Sequence, residues 1–227
     1  MKPRVAIGFD FDHTLGVDNG LERKALAKYA AQLGVPIDPD DAEWKPRLDA
    51  LLARFRSGEH GVDAMMGAFA ATIGVSRTDG EVWRELCYGL VDELVEPVAG
   101  AHDTLRALER LGVPVAILTN GWNPLQQKKI VRALGDAAPA CVIVSGDIGA
   151  IKPARAAFDA LVTAVEQPRD HVWYVGDTPG GDVGGALAAG LRAVWFDWEG
   201  LSYPDDVPPP TLRIHALGEL LALVENT

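Results

Sequence analysis

The chain has 227 residues, enough for a sizeable buried core, and its 48% hydrophobic and 23% charged residues match ordinary globular usage. A formal net charge of −11 excludes the basic footprint that a nucleic-acid polymer or an anionic membrane demands. A small anionic substrate remains compatible with that charge, provided a cation and a few lysines, arginines or backbone amides reverse the field locally.

In chain order, Met1-Lys2-Pro3-Arg4 leads into a short apolar run broken by Asp10, a pattern unlike a signal peptide or a membrane span. Residues 5–11 read as a buried parallel strand whose end carries function. Four amphipathic stretches follow, at 21–33, 42–55, 62–73 and 81–94, with no strand-like run among them, which predicts an all-helical insert. From residue 100 the pattern alternates. Strands are expected at 113–118, 141–144, 171–175 and 193–196, and helices at 101–111, 124–134, 153–165 and 183–189. Gly112 and Gly135 mark helix ends, and Pro153 is expected at the first turn of its helix. Residues 204–210 are a proline-rich loop, and 212–224 suit an edge strand and a closing helix. The alternation predicts an α/β fold with a Rossmann-like, doubly wound parallel sheet. Active sites of such sheets lie beyond the carboxyl ends of the strands, where Asp10, Thr119 and Asp177 fall. Cys87 and Cys141 lie far apart without metal-ligand spacing, as buried small hydrophobes would, and a reducing cytoplasm is the expected location.

Four fragments carry chemistry. Asp10-Phe11-Asp12-His13-Thr14-Leu15 places two carboxylates one residue apart, on one side of an extended chain. Acids so close repel unless a cation lies between them or one keeps a proton, which points to a metal site joined to acid/base work; alone, the pattern is also common on surfaces. In Ile117-Leu118-Thr119-Asn120-Gly121 a hydroxyl and an amide follow a buried strand, able to donate to a phosphoryl oxygen or simply to cap a helix. Lys152 precedes Pro153, where a helix start would fix it beside a carboxylate and a phosphate, or leave it as a surface feature. In Tyr174-Val175-Gly176-Asp177-Thr178-Pro179-Gly180-Gly181-Asp182 a strand enters a glycine-rich turn bearing two acids five residues apart, the hard oxygen ligands that magnesium takes, or else a cap for the next helix.

Taken in order, these fragments resemble the haloacid dehalogenase superfamily: an Asp-x-Asp-x-Thr, a Thr, a Lys and an acidic Gly-Asp motif after successive strands. The resemblance implies a core of residues 1–15 and 97–227 and an inserted helical cap of residues 16–96. It implies a magnesium-dependent phosphatase with Asp10 as nucleophile and Asp12 as acid/base. Thr119, Asn120 and Lys152 would bind the phosphoryl group, Lys152 also restraining Asp10. Magnesium would be held by the Asp10 side chain, the Asp12 backbone carbonyl, Asp177 and Asp182, the last directly or through water. Gly181 departs from the pattern, because many relatives have asparagine there. The implied partner is a small phosphorylated metabolite of the nucleotide, sugar phosphate or phosphoglycolate class, handled by a monomer or homodimer. A phosphomutase, a haloacid dehalogenase and a catalytically silent phosphate-binding regulatory module are the alternatives. Asp12 argues against the dehalogenase, whose members resemble Asp-x-Tyr at this motif. His13, Trp44, Arg47, Arg54 and Arg56 are candidates for substrate contact by position alone, and Trp122 for stacking on a base or for packing.

Overall fold

In the computed structural model, which describes residues 5–225, the chain divides into two compact units: Met1–Val17 with Glu96–Thr227, and Asp18–Val95. Residues 1–4 and 226–227, the outermost parts of the expected core, lie outside the described residues.

The first unit is built on a sheet whose opening strand, β1 (Ala6–Phe9), is buried along its whole length. Both of its faces are covered, so its residues read as a continuous apolar run instead of an alternating one. After the two-residue β2 (Gly16–Val17) the chain leaves for the second unit, four helices named α1 (Leu21–Gln32), α2 (Trp44–Arg56), α3 (Val62–Ile73) and α4 (Gly80–Leu94). It returns through β3 (Glu96–Pro97), which pairs antiparallel with β2, Gly16 facing Pro97. Then α5 (Ala101–Arg110), β4 (Val115–Thr119), α6 (Leu125–Leu134), β5 (Cys141–Val144), α7 (Ser145–Ile148), α8 (Arg155–Val165) and β6 (Val172–Gly176) alternate. α9 (Gly185–Ala188), β7 (Arg192–Phe196), β8 (Leu212–Ile214) and α10 (Leu220–Glu225) complete the unit.

The six-stranded sheet has the order β5-β4-β1-β6-β7-β8, and every neighbouring pair is parallel. Chain order reverses beside β1, where such sheets open a crevice past the strand ends. Register makes those ends level. Phe9 lies opposite both Ile117 and Val175, so Asp10, Thr119 and Asp177 emerge at one rim. Beneath it, Leu161 and Phe158 of α8 pack on Ala6, Leu118 and Tyr174, the Phe158 and Tyr174 rings meeting edge to face at 5.1 Å. Each large apolar side chain buried there contributes roughly 1.5–3 kcal/mol. Gly8 permits this approach, since a Cβ on it would stand 2.4 Å from the nearer Leu161 methyl.

The helical unit has its own core, with Leu26, Leu48, Leu52, Met66, Phe69, Trp83 and Val91 buried. Phe55 meets Trp83 edge to face at 5.5 Å, and the Tyr29 hydroxyl accepts from Asp79 N at 2.8 Å where α4 begins. Among the described residues no helix is long and apolar enough to cross a membrane.

Two expectations require correction. Pro153 does not open its helix: it lies in a turn closed by Ala154 N donating to Ile151 O at 2.8 Å, and α8 starts at Arg155. The helix expected at 183–189 is a π-type turn, Pro179–Gly184, that runs into the single turn of α9.

Candidate active site

Asp10 follows β1 and is fixed from behind by its backbone N–H, which donates to Val175 O at 2.8 Å. Its buried carboxylate accepts from Lys152 Nζ at 2.6 Å. The same Nζ donates to Asp182 Oδ1 at 2.7 Å and to the Tyr174 hydroxyl at 2.8 Å, so its three hydrogens all have acceptors. Tyr174 passes the chain on, donating its own hydroxyl to Leu118 O at 2.7 Å. Burial alone would depress the Lys152 ammonium, but Asp10 and Asp182 outweigh it and hold the charge firmly in place. Desolvation raises Asp10 well above its usual range against the pull of Lys152, and the other acids add to the rise.

Lys152 reaches this position because Asn120 grips its backbone. Asn120 Oδ1 accepts from Lys152 N at 2.9 Å, and Asn120 Nδ2 donates to Lys152 O at 3.1 Å. The Asn120 side chain thus faces Lys152.

Asp177 follows β6, and Asp182 sits in the π-type turn, where Oδ2 accepts from Thr178 N at 3.0 Å. Gly176 makes room for this return: a Cβ there would lie 2.4 Å from the Asp182 carboxyl carbon. Burial, then the charge of Asp182, pushes the Asp177 carboxyl up to about 6. Carboxylate oxygens of Asp10, Asp177 and Asp182 all lie within 4.8 Å of one another. Three acids against one ammonium leave negative charge uncompensated when all are ionised, and the donors are hard oxygens. That set suits a small divalent cation such as magnesium.

Asp12 diverges from this cluster. The chain after β1 curls back, with His13 N donating to Gly16 O at 2.7 Å and Leu15 N to Phe11 O at 2.9 Å. This sends the Asp12 carboxylate to α6, where Lys129 Nζ contacts Oδ1 and Gln126 Nε2 donates to Oδ2 at 2.9 Å. Thr119, buried at the end of β4, accepts from the same Gln126 amide at 2.7 Å. Gly121, at φ 137°, bends the chain there, and its N–H donates to Ser145 Oγ at 3.0 Å. Sequence reasoning missed Tyr174, Gln126 and Lys129. A signal for the last two exists: they share the buried stripe of α6 with Leu125, Ile130 and Ala133, polar residues where apolar ones belong.

The arginines proposed for substrate contact have acidic partners within the helical unit: Arg47 meets Glu43 at 3.1 Å, Arg54 meets Glu59 at 2.5 Å and Arg56 meets Glu22 at 2.7 Å.

The parallel sheet carries acids at its rim with a lysine pinned between them, and residues 5–190 match the model of the haloacid dehalogenase-like hydrolases. The chain belongs to that family. It is similar to the phosphoserine phosphatase of Thermus thermophilus, 38% identical over 53% of this chain and 48% of that protein. It is also similar to the pyrimidine 5'-nucleotidase YjjG of Escherichia coli, 34% identical over 58% of each. The matched stretch therefore spans about half the length of these curated relatives. The fold is that of the HAD-hydrolase YfnB of Bacillus subtilis, crystallised bound to magnesium, with a TM-score of 0.78, 23% identity and coverage of 97% of this chain and 98% of that one.

Proposed function

We propose that the chain is a magnesium-dependent phosphatase that hydrolyses a small phosphate monoester through an aspartyl-phosphate on Asp10. The observation that carries this reading is the Lys152 ammonium donating at once to Asp10 and Asp182, with Asp177 alongside and Asp12 held separately two residues on. Phosphoryl transfer asks chiefly for in-line positioning and for positive charge around the phosphoryl oxygens. The side chains of Asp10, Asp177 and Asp182 and the Asp12 backbone carbonyl would hold the magnesium ion, which when bound supplies charge neutralisation for phosphate in a chain of net charge −11.

In this reading Asp10 attacks phosphorus and the ester P–O bond breaks, Asp12 giving its proton to the departing oxygen. Water then attacks phosphorus and the bond to Asp10 breaks, the water's proton passing to Asp12. Thr119 and the Asn120 backbone N–H donate to the phosphoryl oxygens. Lys152 restrains the nucleophile and exchanges one of its present acceptors for phosphate. The helical insert, residues 18–95, enters the chain directly after the Asp-x-Asp strand, and we assign it the selection of substrate from that place in the sequence. The names of the relatives, a phosphoserine phosphatase and a nucleotidase, support a small phosphorylated metabolite as substrate.

The test is phosphate release from a panel of nucleotides, sugar phosphates, phosphoserine and phosphoglycolate, with magnesium and with chelator. Turnover should require magnesium, and Asp10→Asn should lower it by at least about 10⁴-fold without loss of the fold. Hydrolysis by that variant at the wild-type rate would exclude the aspartyl-phosphate route.

A further inference from the structure

The inner stripe of α6 carries an amide and an ammonium among apolar residues. Gln126 and Lys129 are buried there, three residues apart and so on one face. A buried lysine is costly unless it is paired. Here both side chains converge on the same carboxylate, that of Asp12, which is itself 30% exposed. Each carboxylate oxygen has its own donor: Oδ1 has Lys129, and Oδ2 has Gln126 at 2.9 Å. The Gln126 amide nitrogen also lies 2.7 Å from Thr119 Oγ1 and 3.1 Å from Asn120 O. One nitrogen therefore ties the second motif aspartate to the turn after β4.

We propose that Gln126 and Lys129 are positioning residues that fix the Asp12 carboxylate and the Thr119 hydroxyl in one relation, chiefly for the half-reaction in which water breaks the aspartyl-phosphate. The inference rests on the aspartyl-phosphate reading above. Because Gln126 fills a lone pair of Thr119 Oγ1, the hydroxyl hydrogen is the part left to point at an acceptor. That acceptor is Asn120 O at 3.2 Å in this structure and a phosphoryl oxygen when substrate is present. With one donor on each Asp12 oxygen, the carboxylate is locked against rotation and keeps its other lone pairs for the water proton. In that half-reaction the water oxygen bonds to phosphorus, the Asp10–phosphorus bond breaks with its electron pair returning to Asp10, and the proton goes to Asp12. Forming the aspartyl-phosphate from an ester whose leaving group needs no proton makes no such demand on Asp12.

The experiment is stopped-flow and steady-state hydrolysis of p-nitrophenyl phosphate with magnesium by the full chain, comparing wild type with Lys129→Met, Gln126→Leu and Lys129→Arg. The first two variants should show a burst of nitrophenolate approaching one per enzyme and a kcat lowered about 100-fold. KM should fall in proportion, leaving kcat/KM within about threefold of wild type, and Lys129→Arg should recover most of the lost kcat. Parallel loss of kcat and kcat/KM, or wild-type kinetics in both variants, overturns the proposal. Gln126→Leu, placed among apolar residues of α6, decides the question should Lys129→Met fail to fold by circular dichroism. Borohydride trapping of the acyl phosphate in wild type separates the two readings. With no trapped Asp10 the aspartyl-phosphate route falls and this inference with it, whereas a trapped Asp10 beside unaffected variants overturns this inference alone.

Discussion

In the helical unit Arg23 meets Asp40 at 2.7 Å and Asp49 at 2.9 Å, and Arg54 meets Glu59 at 2.5 Å, with the acids exposed to solvent. In the sheet unit Lys152 meets Asp10 at 2.6 Å and Asp182 at 2.7 Å with all three side chains less than a tenth exposed. The distances are alike and the physics is not. Exposed pairs trade one hydration shell for another and are worth little, whereas buried ones give up hydration that their mutual attraction barely replaces. A cluster with more acids than bases is a poor way to stabilise a sheet. Its persistence at the rim beside β1 is understandable if a cation and a phosphoryl group complete it.

The sharpest way to break that comparison is to remove the ammonium. Lys152→Met leaves Asp10 and Asp182 facing each other in a desolvated pocket, with Tyr174 losing a donor. Thermal denaturation without metal should show a destabilisation of about 3 kcal/mol, the cost of stranding a buried charge. Turnover should fall about 10³-fold, since the donor to the phosphoryl oxygens that the proposed function assigns to Lys152 goes with it. An unchanged melting temperature would mean that the pocket is far wetter than its burial indicates.

Much of this cluster is legible in the sequence, and the reason is local. Acids at Asp10 and Asp177 interrupt apolar strand runs, and an interruption of that kind is visible without knowing what lies opposite. The alternation after residue 100 likewise exposes the sheet, with strand ends shifted by a residue or two. What depends on distant partners is not visible. Pro153 looks like a helix start, yet Asn120, 32 residues away, holds the Lys152 backbone in a turn that delays α8. The pairing of Gly16 and Val17 with Pro97 and Glu96 spans the whole helical insert, and two residues carry no periodicity to reveal it. Gln126 and Lys129 stand out as polar positions on the apolar stripe of α6, but their partner Asp12 is not visible until register brings α6 beside the tip of β1.

A smaller effect should follow pH. Burial and the charge of Asp182 raise the Asp177 carboxyl to about 6 in the metal-free protein, and Asp10 is raised in the same direction. The folded state then holds more protons than the unfolded chain from the ordinary carboxylate range up to about pH 6. Stability of the metal-free protein therefore declines as pH rises through that window, by about 3 kcal/mol for Asp177. In the proposed reading magnesium binds the deprotonated carboxylates, so the melting temperature it adds should be larger at about pH 7.5 than at about pH 5. Thermal scans with magnesium and with chelator at the two pH values measure the difference. An equal gain at both would show that the ion is not held by these acids.

The smallest effect belongs to the opposite pole. Arg54 makes two contacts to one Glu59 oxygen, Nε at 2.9 Å and Nη2 at 2.5 Å, and the hydrogen bond from Arg54 holds the Glu59 carboxyl below its usual range. By distance this pair rivals anything around Lys152. Both partners are exposed, however, and water with dissolved salt replaces each for the other at almost no cost. Arg54→Ala should leave the melting temperature within about 1 °C of wild type, at low and at moderate salt alike. A clear drop that salt abolishes would give the helical unit's surface charges the weight assigned here to the buried cluster, and hydrogen-bond length would then matter more than burial.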